Sequence, residues 1–394
     1  MESVLHHMID RVRDAAARQA PLRIRGGGSK DFHGGVPLQG EELDTRAYRG
    51  IVSYEPSELV VTARAGTPLA EVETLLAEHG QCLAFEPPHF GPGATGGGMG
   101  AAGLAGPARA SVGAVRDFVL GVQLINGRAE HLTFGGQVMK NVAGYDVSRL
   151  MVGAWGTLGL LTQVSLKVLP LAPAEATLRF ACDQAEALCR LHAWGAKPLP
   201  LNASCWTPGG TLATDCATDS AAGQLDVRLR GAVAAVEAAC KTMGGERLDN
   251  ADMADHWDAC REQRSAWFAT ARASASVSAD SSAAESALDV WRLSVPDTAP
   301  VLALPEGVAA PLVEWHGALR WVQAPRVHAA ALYEKALLAG GSASLFIAGG
   351  GQPISLSGCF AVHSAALGAI HQRLRQAFDP AGIFNPARAG AVGA

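Results

Sequence analysis

The chemistry most visible in this chain lies in glycine clusters. The first, Arg25-Gly26-Gly27-Gly28-Ser29-Lys30, follows directly on a short strand-like run. Consecutive glycines let main-chain N–H groups converge on an anion with no Cβ in the way. Ser29 adds a hydroxyl donor and Lys30 a charge. A flexible turn would use the same residues, and adjacent glycines alone do not separate the two readings. The second cluster runs from Gly91 to Gly103 and contains a formal Gly-x-Gly-x-x-Gly match from Gly98 to Gly103, with Asp117 downstream. A dinucleotide fingerprint of that kind needs a buried strand just before it and a helix opening inside it. Pro87, Pro88 and Pro92 stand where the strand should be and exclude a central one. The match is therefore read as a decoy for nicotinamide binding. The third cluster, Gly153-Ala154-Trp155-Gly156-Thr157-Leu158-Gly159, feeds a strand. Several such clusters within one domain favour a large extended ligand over unrelated turns, and a dinucleotide is the natural candidate.

The elements that must position these loops follow from local pattern. Arg11 to Gln19 ends an opening helix, and Leu22 to Arg25 is a strand. Ile51 to Tyr54 and Leu59 to Ala63 read as strands around a Pro56-Ser57 turn. Pro68 to Glu78 reads as a helix with proline in its first turn and Gly80 beyond its end. Val115 to Leu124 and Ala129 to Phe134 form a hairpin turning at Asn126-Gly127, and Leu158 to Val168 is a further strand. Beyond Pro170 strands and helices alternate: strand Thr177–Phe180, helix Gln184–Trp194, strand Leu225–Arg230, helix Val233–Met243. Strands near Trp291–Val295 and Glu314–Gln323 follow, then a helix from Val327 to Leu338. Thr207 to Gly223 and Ala271 to Ser286 read as exposed loops. Ala365 to Phe378 reads as a helix running into the Asx-Pro turns of Asp379-Pro380 and Asn385-Pro386.

Composition narrows the function class. With 394 residues, 48% of them hydrophobic, the chain can bury a core and divide into domains. A net charge of −5 disfavours a nucleic-acid surface. Glu2, Asp10, Arg11, Arg13 and Asp14 interrupt any signal-peptide core, so a cytoplasmic location is expected, with membrane contact only through partners. The eight cysteines contain no Cys-x-x-Cys pair. Iron–sulfur and zinc spacing is thus absent, and no metal ligands are assigned.

At this point the residues resemble a known family. RGGGSK, EPSELVVTARAGTPLAEVE, PGATGGGMGAAGLAGP and the stretch from Val115 to Pro170 are similar to the FAD-binding domain of the vanillyl-alcohol-oxidase and para-cresol-methylhydroxylase (PCMH) superfamily. FDPAGIFNP resembles the C-terminal signature of its 2-hydroxy-acid branch. Within that branch, FEPPHFG and GGQVMKNVAGYDVSRLMVGAWG resemble the E subunits of glycolate oxidase, also called glycolate dehydrogenase. The resemblance implies an α+β protein. A PCMH-type FAD-binding domain of two α+β subdomains, residues 1–170, is followed by a smaller α+β cap over 171–350, with an antiparallel sheet and helices on one face. Residues 351–394 then return to the first domain.

The same resemblance implies a cofactor site. Arg25, Gly26, Gly27, Gly28, Ser29 and Lys30 would hold the FAD pyrophosphate. Pro88, Gly93, Ala94, Thr95, Gly97, Gly98 and Gly103 would run along the flavin and ribityl chain. Asp117, Phe118, Gly156, Thr157, Gly159 and Leu160 complete the set. Ser29 stands where some relatives carry a flavin-linked histidine, so non-covalent FAD is expected.

Oxidation of a 2-hydroxy acid also requires a base and a carboxylate clamp. His89, His316 and Tyr145 are candidates for the first, Arg149 and Arg320 for the second. The metal-binding Gly-Asp-Gly-Asn-Leu-His stretch of catalytic relatives has only Glu314-Trp315-His316-Gly317-Ala318-Leu319-Arg320 as its counterpart. No catalytic residue is assigned. The leading reading is the FAD-binding subunit of a glycolate-oxidising complex, with a D-type flavoprotein subunit and an iron–sulfur subunit as partners. A self-sufficient flavin dehydrogenase and a non-catalytic flavin relay or scaffold are the alternatives.

Overall fold

A computed structural model describes residues 1–33, 39–136, 145–209, 223–269, 287–349 and 365–388. The expected loops at 207–223 and 271–286, together with Cys216 and Cys359, lie largely or wholly outside the described residues.

The chain opens with α1 (Glu2–Arg18). Met8, Val12 and Ala15, at helical spacing, make its buried face. They pack on Leu22, Leu43, Ile383 and Phe384. Strand β1 (Leu22–Arg25) pairs in parallel with β2 (Glu41–Asp44). On the other side Leu22 bridges Phe384, so residues hundreds of positions apart lie side by side.

A five-stranded antiparallel sheet follows, in the order β3 (Ile51–Glu55), β4 (Val60–Arg64), β8 (Leu160–Lys167), β6 (Val119–Ile125), β7 (His131–Gly135). The β6–β7 hairpin turns at the expected place: the Asn126 side-chain oxygen accepts from the amides of Arg128 and Glu130, both at 3.0 Å. The expected strand from Val115 begins at Val119, because Val115–Phe118 is a helical turn whose Asp117 carboxylate takes the Ala114 amide at 2.8 Å. Helices α2 (Leu69–Glu78) and α3 (Gly96–Ala102) pack on this sheet, and the one-turn helices α4 (Arg109–Val112), α5 (Val115–Phe118) and α6 (Val147–Met151) lie between α3 and β8 in sequence. Residues 83–94, which precede α3, form no strand, in keeping with their prolines.

The second body is one eight-stranded antiparallel sheet. Its order is β13 (Glu246–Leu248), β10 (Ala174–Cys182), β12 (Gly223–Gly231), β11 (Leu201–Thr207), β15 (Leu312–Glu314), β16 (Leu319–Ala324), β14 (Asp289–Ser294), β17 (Ser342–Ile347). The short pair β5 (Gln81–Cys82) and β9 (Leu169–Pro170) stands before it in sequence. One face of the large sheet carries α7 (Gln184–Gly195), α8 (Val233–Met243) and the helix Ala329–Leu338. Trp321 and Phe346 on the opposite face pack with Met253, Trp257 and Cys260 of α9 (Asn250–Glu262) and with Phe32, Phe90 and Leu104 from the first body.

The joint between the bodies is polar as well as apolar. Glu86 accepts from Arg228 at 2.6 Å and from Arg230 at 2.8 Å. Glu262, at the end of α9, takes the amides of His89 and Phe90 at 3.0 and 2.7 Å. Among the described residues no helix is long and apolar enough to cross a membrane.

Candidate functional site

A cleft open to solvent lies where the glycine clusters meet. One wall is Arg25 to Asp31, leaving the end of β1. The second is Thr95, Gly97, Gly98, Ala101 and Ala102 at the start and along one side of α3, and the third is Trp155, Gly156 and Gly159.

The glycines are there because side chains have no room. A Cβ on Gly27 would stand 1.5 Å from the Gly93 carbonyl oxygen, and one on Gly97 would stand 2.6 Å from the Ala65 Cβ. The first two clusters therefore touch backbone to backbone. Thr95 caps α3 by accepting from the Gly98 amide at 3.1 Å. The helix persists through a run of glycines that is intrinsically poor in helix propensity, since tertiary packing overrides it.

Lys30 is the cation buried beside this wall. Among the described residues its ammonium reaches Ser29 Oγ and the His89 carbonyl, each at 3.4 Å, and lies 5.6 Å from the Phe90 ring centroid. Among the described residues no carboxylate stands within ion-pair distance of it. Burial pulls its pKa down to about 8, opposed by the negative charge of Glu262. An unpaired buried cation beside convergent backbone is suited to an anionic group.

Two cleft residues come from the far end of the chain and were not assigned from sequence. Asn385 accepts from the Ile24 amide at 2.8 Å and donates to the Trp155 carbonyl at 2.8 Å. The Arg388 guanidinium lies 5.0 Å from the Trp155 ring centroid and donates to the Lys30 and Asp31 carbonyls at 3.1 Å. His33 stacks on Trp155 with centroids 4.3 Å apart. Burial, then Arg388 and Arg292, push its pKa down to about 3, so the ring is neutral. The Asn385-Pro386 turn was the only local signal for this wall.

Eleven of the nineteen expected cofactor residues are brought together in the cleft: Arg25 to Lys30, Thr95, Gly97, Gly98, Gly156 and Gly159. The others stand behind it. Gly93 backs Gly27, and the Ala94 carbonyl accepts from Leu69. Gly103 ends α3 with φ of 63°. Pro88 is buried ahead of the second cluster. Asp117 caps its turn, and Phe118 packs on Phe85 with centroids 5.2 Å apart. Thr157 donates to the Ala154 carbonyl at 2.7 Å, and Leu160 lies in the core.

None of the five candidates for base and clamp lines the cleft. His89 faces Glu73 at 2.9 Å. Tyr145 is 95% exposed, and Arg149 pairs with Asp146 at 3.2 Å. Arg320 is fully buried, with its guanidinium on the Ala299 carbonyl at 3.1 Å. His316 has both ring nitrogens occupied, by Ser204 at 3.0 Å and Ser111 at 2.8 Å, and burial pushes its pKa down to about 4. It ties the two bodies together as a neutral ring.

Comparison with known proteins accounts for the cleft. Residues 6–135 match the family described as FAD binding domain. The chain is 42% identical over 381 residues to the glycolate oxidase subunit GlcE of Escherichia coli, covering 97% of this chain and 96% of that one. A D-lactate dehydrogenase of Archaeoglobus fulgidus is 31% identical over 158 residues, 40% of this chain and 35% of that protein. A solved structure of alkyldihydroxyacetonephosphate synthase superposes with a TM-score of 0.64 at 13% identity, covering 96% of this chain and 75% of that one, which speaks for the fold alone. FAD fits the observed residues: glycine walls packed too closely for side chains, which leave backbone facing the cleft, with a buried cation at its edge. By its likeness along nearly its whole length, the chain belongs to the glycolate oxidase subunit GlcE family, FAD-dependent oxidoreductases of hydroxy acids.

Proposed function

We propose that this chain is the FAD-carrying subunit of a glycolate-oxidising complex. The observation that carries the reading is the convergence of the glycine walls and buried Lys30 in a chain so similar to GlcE. In this reading residues 1–170 hold the cofactor, 171–350 form the cap, and 351–394 close the cofactor wall. Arg25 to Lys30 bind the pyrophosphate, with Lys30 neutralising it and the Gly26–Gly28 amides donating to it. Thr95, Gly97 and Gly98 line the flavin and ribityl side, while Gly156 and Gly159 complete the wall. FAD, bound non-covalently, supplies the hydride acceptor for the substrate α-carbon. Asn385 and Arg388 fix Trp155 and the Lys30 segment, and so exclude water from that end.

The partners in this reading are a D-type flavoprotein subunit and an iron–sulfur subunit, which takes the electrons onward. The seating of both His316 nitrogens on serines favours a second reading, in which substrate is oxidised on the partner flavoprotein and this chain relays electrons.

An anaerobic visible spectrum of the isolated chain, before and after glycolate, tests both. Bound flavin that bleaches places substrate chemistry in this chain. Flavin that stays oxidised supports the relay. A chain that takes up no flavin when FAD is supplied overturns the proposal.

A further inference from the structure

A cluster of metal-ligating side chains lies away from the cleft, under α9, and the cofactor does not use it. Cys205 on β11 and Glu314 on β15 are direct partners in the antiparallel register, so their side chains leave the same face of the sheet. Helix α9 covers that face. On it His256 and Cys260 are one helical turn apart and share a side. One ligand atom each from Cys205, Cys260 and Glu314 lies within 4.8 Å of the other two, and all three residues are buried. His256 Nε2 stands 3.8 Å from the Cys260 sulfur. The edge of a tetrahedron built on metal–sulfur bonds of ~2.3 Å is about 3.8 Å. Trp321 Nε1 donates to one Glu314 oxygen at 2.6 Å and leaves the other to ligate. An indole donor behind a carboxylate is the kind of outer partner that orients a metal ligand. The same Nε2 lies 3.4 Å from the Asp226 carboxylate, a contact that it would exchange for the ion.

We propose that Cys205, Cys260 and Glu314, with His256 at the fourth position, form a structural site for a thiophilic divalent cation of the zinc class. Two soft sulfurs and a carboxylate, buried and within 4.8 Å of one another, with an imidazole at their edge, suit such an ion. On binding, the thiol protons leave to solvent and two sulfur–metal bonds form, with no change of oxidation state. The ion would pin α9 to the sheet. Two residues past Cys260, Glu262 holds the His89 and Phe90 amides, so the pinned helix also holds the segment that leads into the second glycine cluster.

The test is titration of the full, reduced, chelator-treated chain with Co2+ and then with Zn2+, with the metal content of untreated chain measured alongside. We expect about one ion per chain, a thiolate-to-cobalt charge-transfer band, and displacement of that band by Zn2+. C205S and C260S should each abolish the band and weaken Zn2+ binding at least tenfold, whereas C240S, outside the cluster, should leave both intact. E314Q should weaken Zn2+ binding while keeping the band. If a cysteine variant fails to fold, the wild-type titration and E314Q decide. A wild-type chain without the band, a band that survives both cysteine substitutions, or Zn2+ binding unaltered by E314Q overturns the site. So does a disulfide joining Cys205 to Cys260 in freshly isolated chain.

Discussion

A buried lysine next to glycine backbone sets two opposite pH dependences. Lys30 has a pKa of about 8 in the folded chain against an ordinary value of 10.5, with burial as the main cause. Between those values the unfolded chain binds more protons, so this residue makes the FAD-free chain more stable as pH rises from about 8 to about 10. Below 8 its desolvation cost is borne in full. FAD binding should run the other way, because a pyrophosphate wants the ammonium form. Affinity for FAD is expected to fall as pH climbs through 8, measured by fluorescence quenching on titration. K30M should bind FAD ten- to a hundredfold more weakly, the worth of a charged hydrogen bond of about 1.5–3 kcal/mol, and should show no such pH slope. Equal affinity in K30M at pH 7 would remove Lys30 from the cofactor. Gly27 makes a different demand. The Cβ of G27A would collide with the Gly93 carbonyl, and overpacking of this kind costs about 1–3 kcal/mol. The purified variant should show a lowered melting temperature and a lower flavin-to-protein ratio than wild type.

At the scale of elements, local pattern was enough where apolar residues recur at the element's own period. Helix Val233–Met243 and the helix Ala365–Phe378 have the expected ends, and β12, whose Leu225, Val227 and Leu229 alternate with Asp226 and Arg228, encloses the expected Leu225–Arg230. It failed where that period is missing. Strand β11 reads LNASCWT, without alternation, because five of its seven residues are buried on one side or the other. Helix α9 reads NADMADHWDACRE, and its few apolar positions, Met253, Trp257 and Cys260, are lost among aspartates. Yet α9 bears on the cofactor wall. Glu262 is pushed up by burial and pulled down further by the His89 and Phe90 amides and by Arg261. Its folded pKa is therefore depressed, so its stabilisation is present above the ordinary carboxylate range and is lost as pH falls through the folded value. E262A leaves two amides without their acceptor, which costs about 1–3 kcal/mol. We expect a lowered melting temperature in E262A, with the difference from wild type shrinking in acid. A difference that grows in acid would contradict the assignment.

At the scale of the whole molecule, the cofactor wall depends on residues hundreds of positions apart. The glycine loops were legible because each is local and each forbids a Cβ. Asn385 and Arg388 were not, because nothing near them in sequence says that they face Ile24, Trp155 and Lys30. The same holds for Glu86, which sits at φ 47°, an uncommon conformation for glutamate, and accepts from Arg228 and Arg230 of the large sheet. These long-range ties make the fold a closed loop, with Ile383 to Asn385 seated on β1. A chain ended after Phe378 would lose the Phe384 bridge to Leu22, both Asn385 bonds and the Arg388 contacts. It would also lack Ile383 and Phe384, which are buried to within 2%, and would uncover the apolar side chains they pack on. Burying two such side chains is worth about 3–6 kcal/mol, a large part of the stability of an ordinary domain. N385A separates the two effects, because it removes the polar tie and keeps the apolar plug. N385A should stay folded, with a loss of about 1–3 kcal/mol for the unsatisfied Ile24 amide, and should release FAD faster than wild type in a dilution assay. The truncated chain should lose both fold and flavin. If N385A releases FAD at the wild-type rate, the tail acts on stability alone, and the wall that matters to the cofactor ends at Gly159.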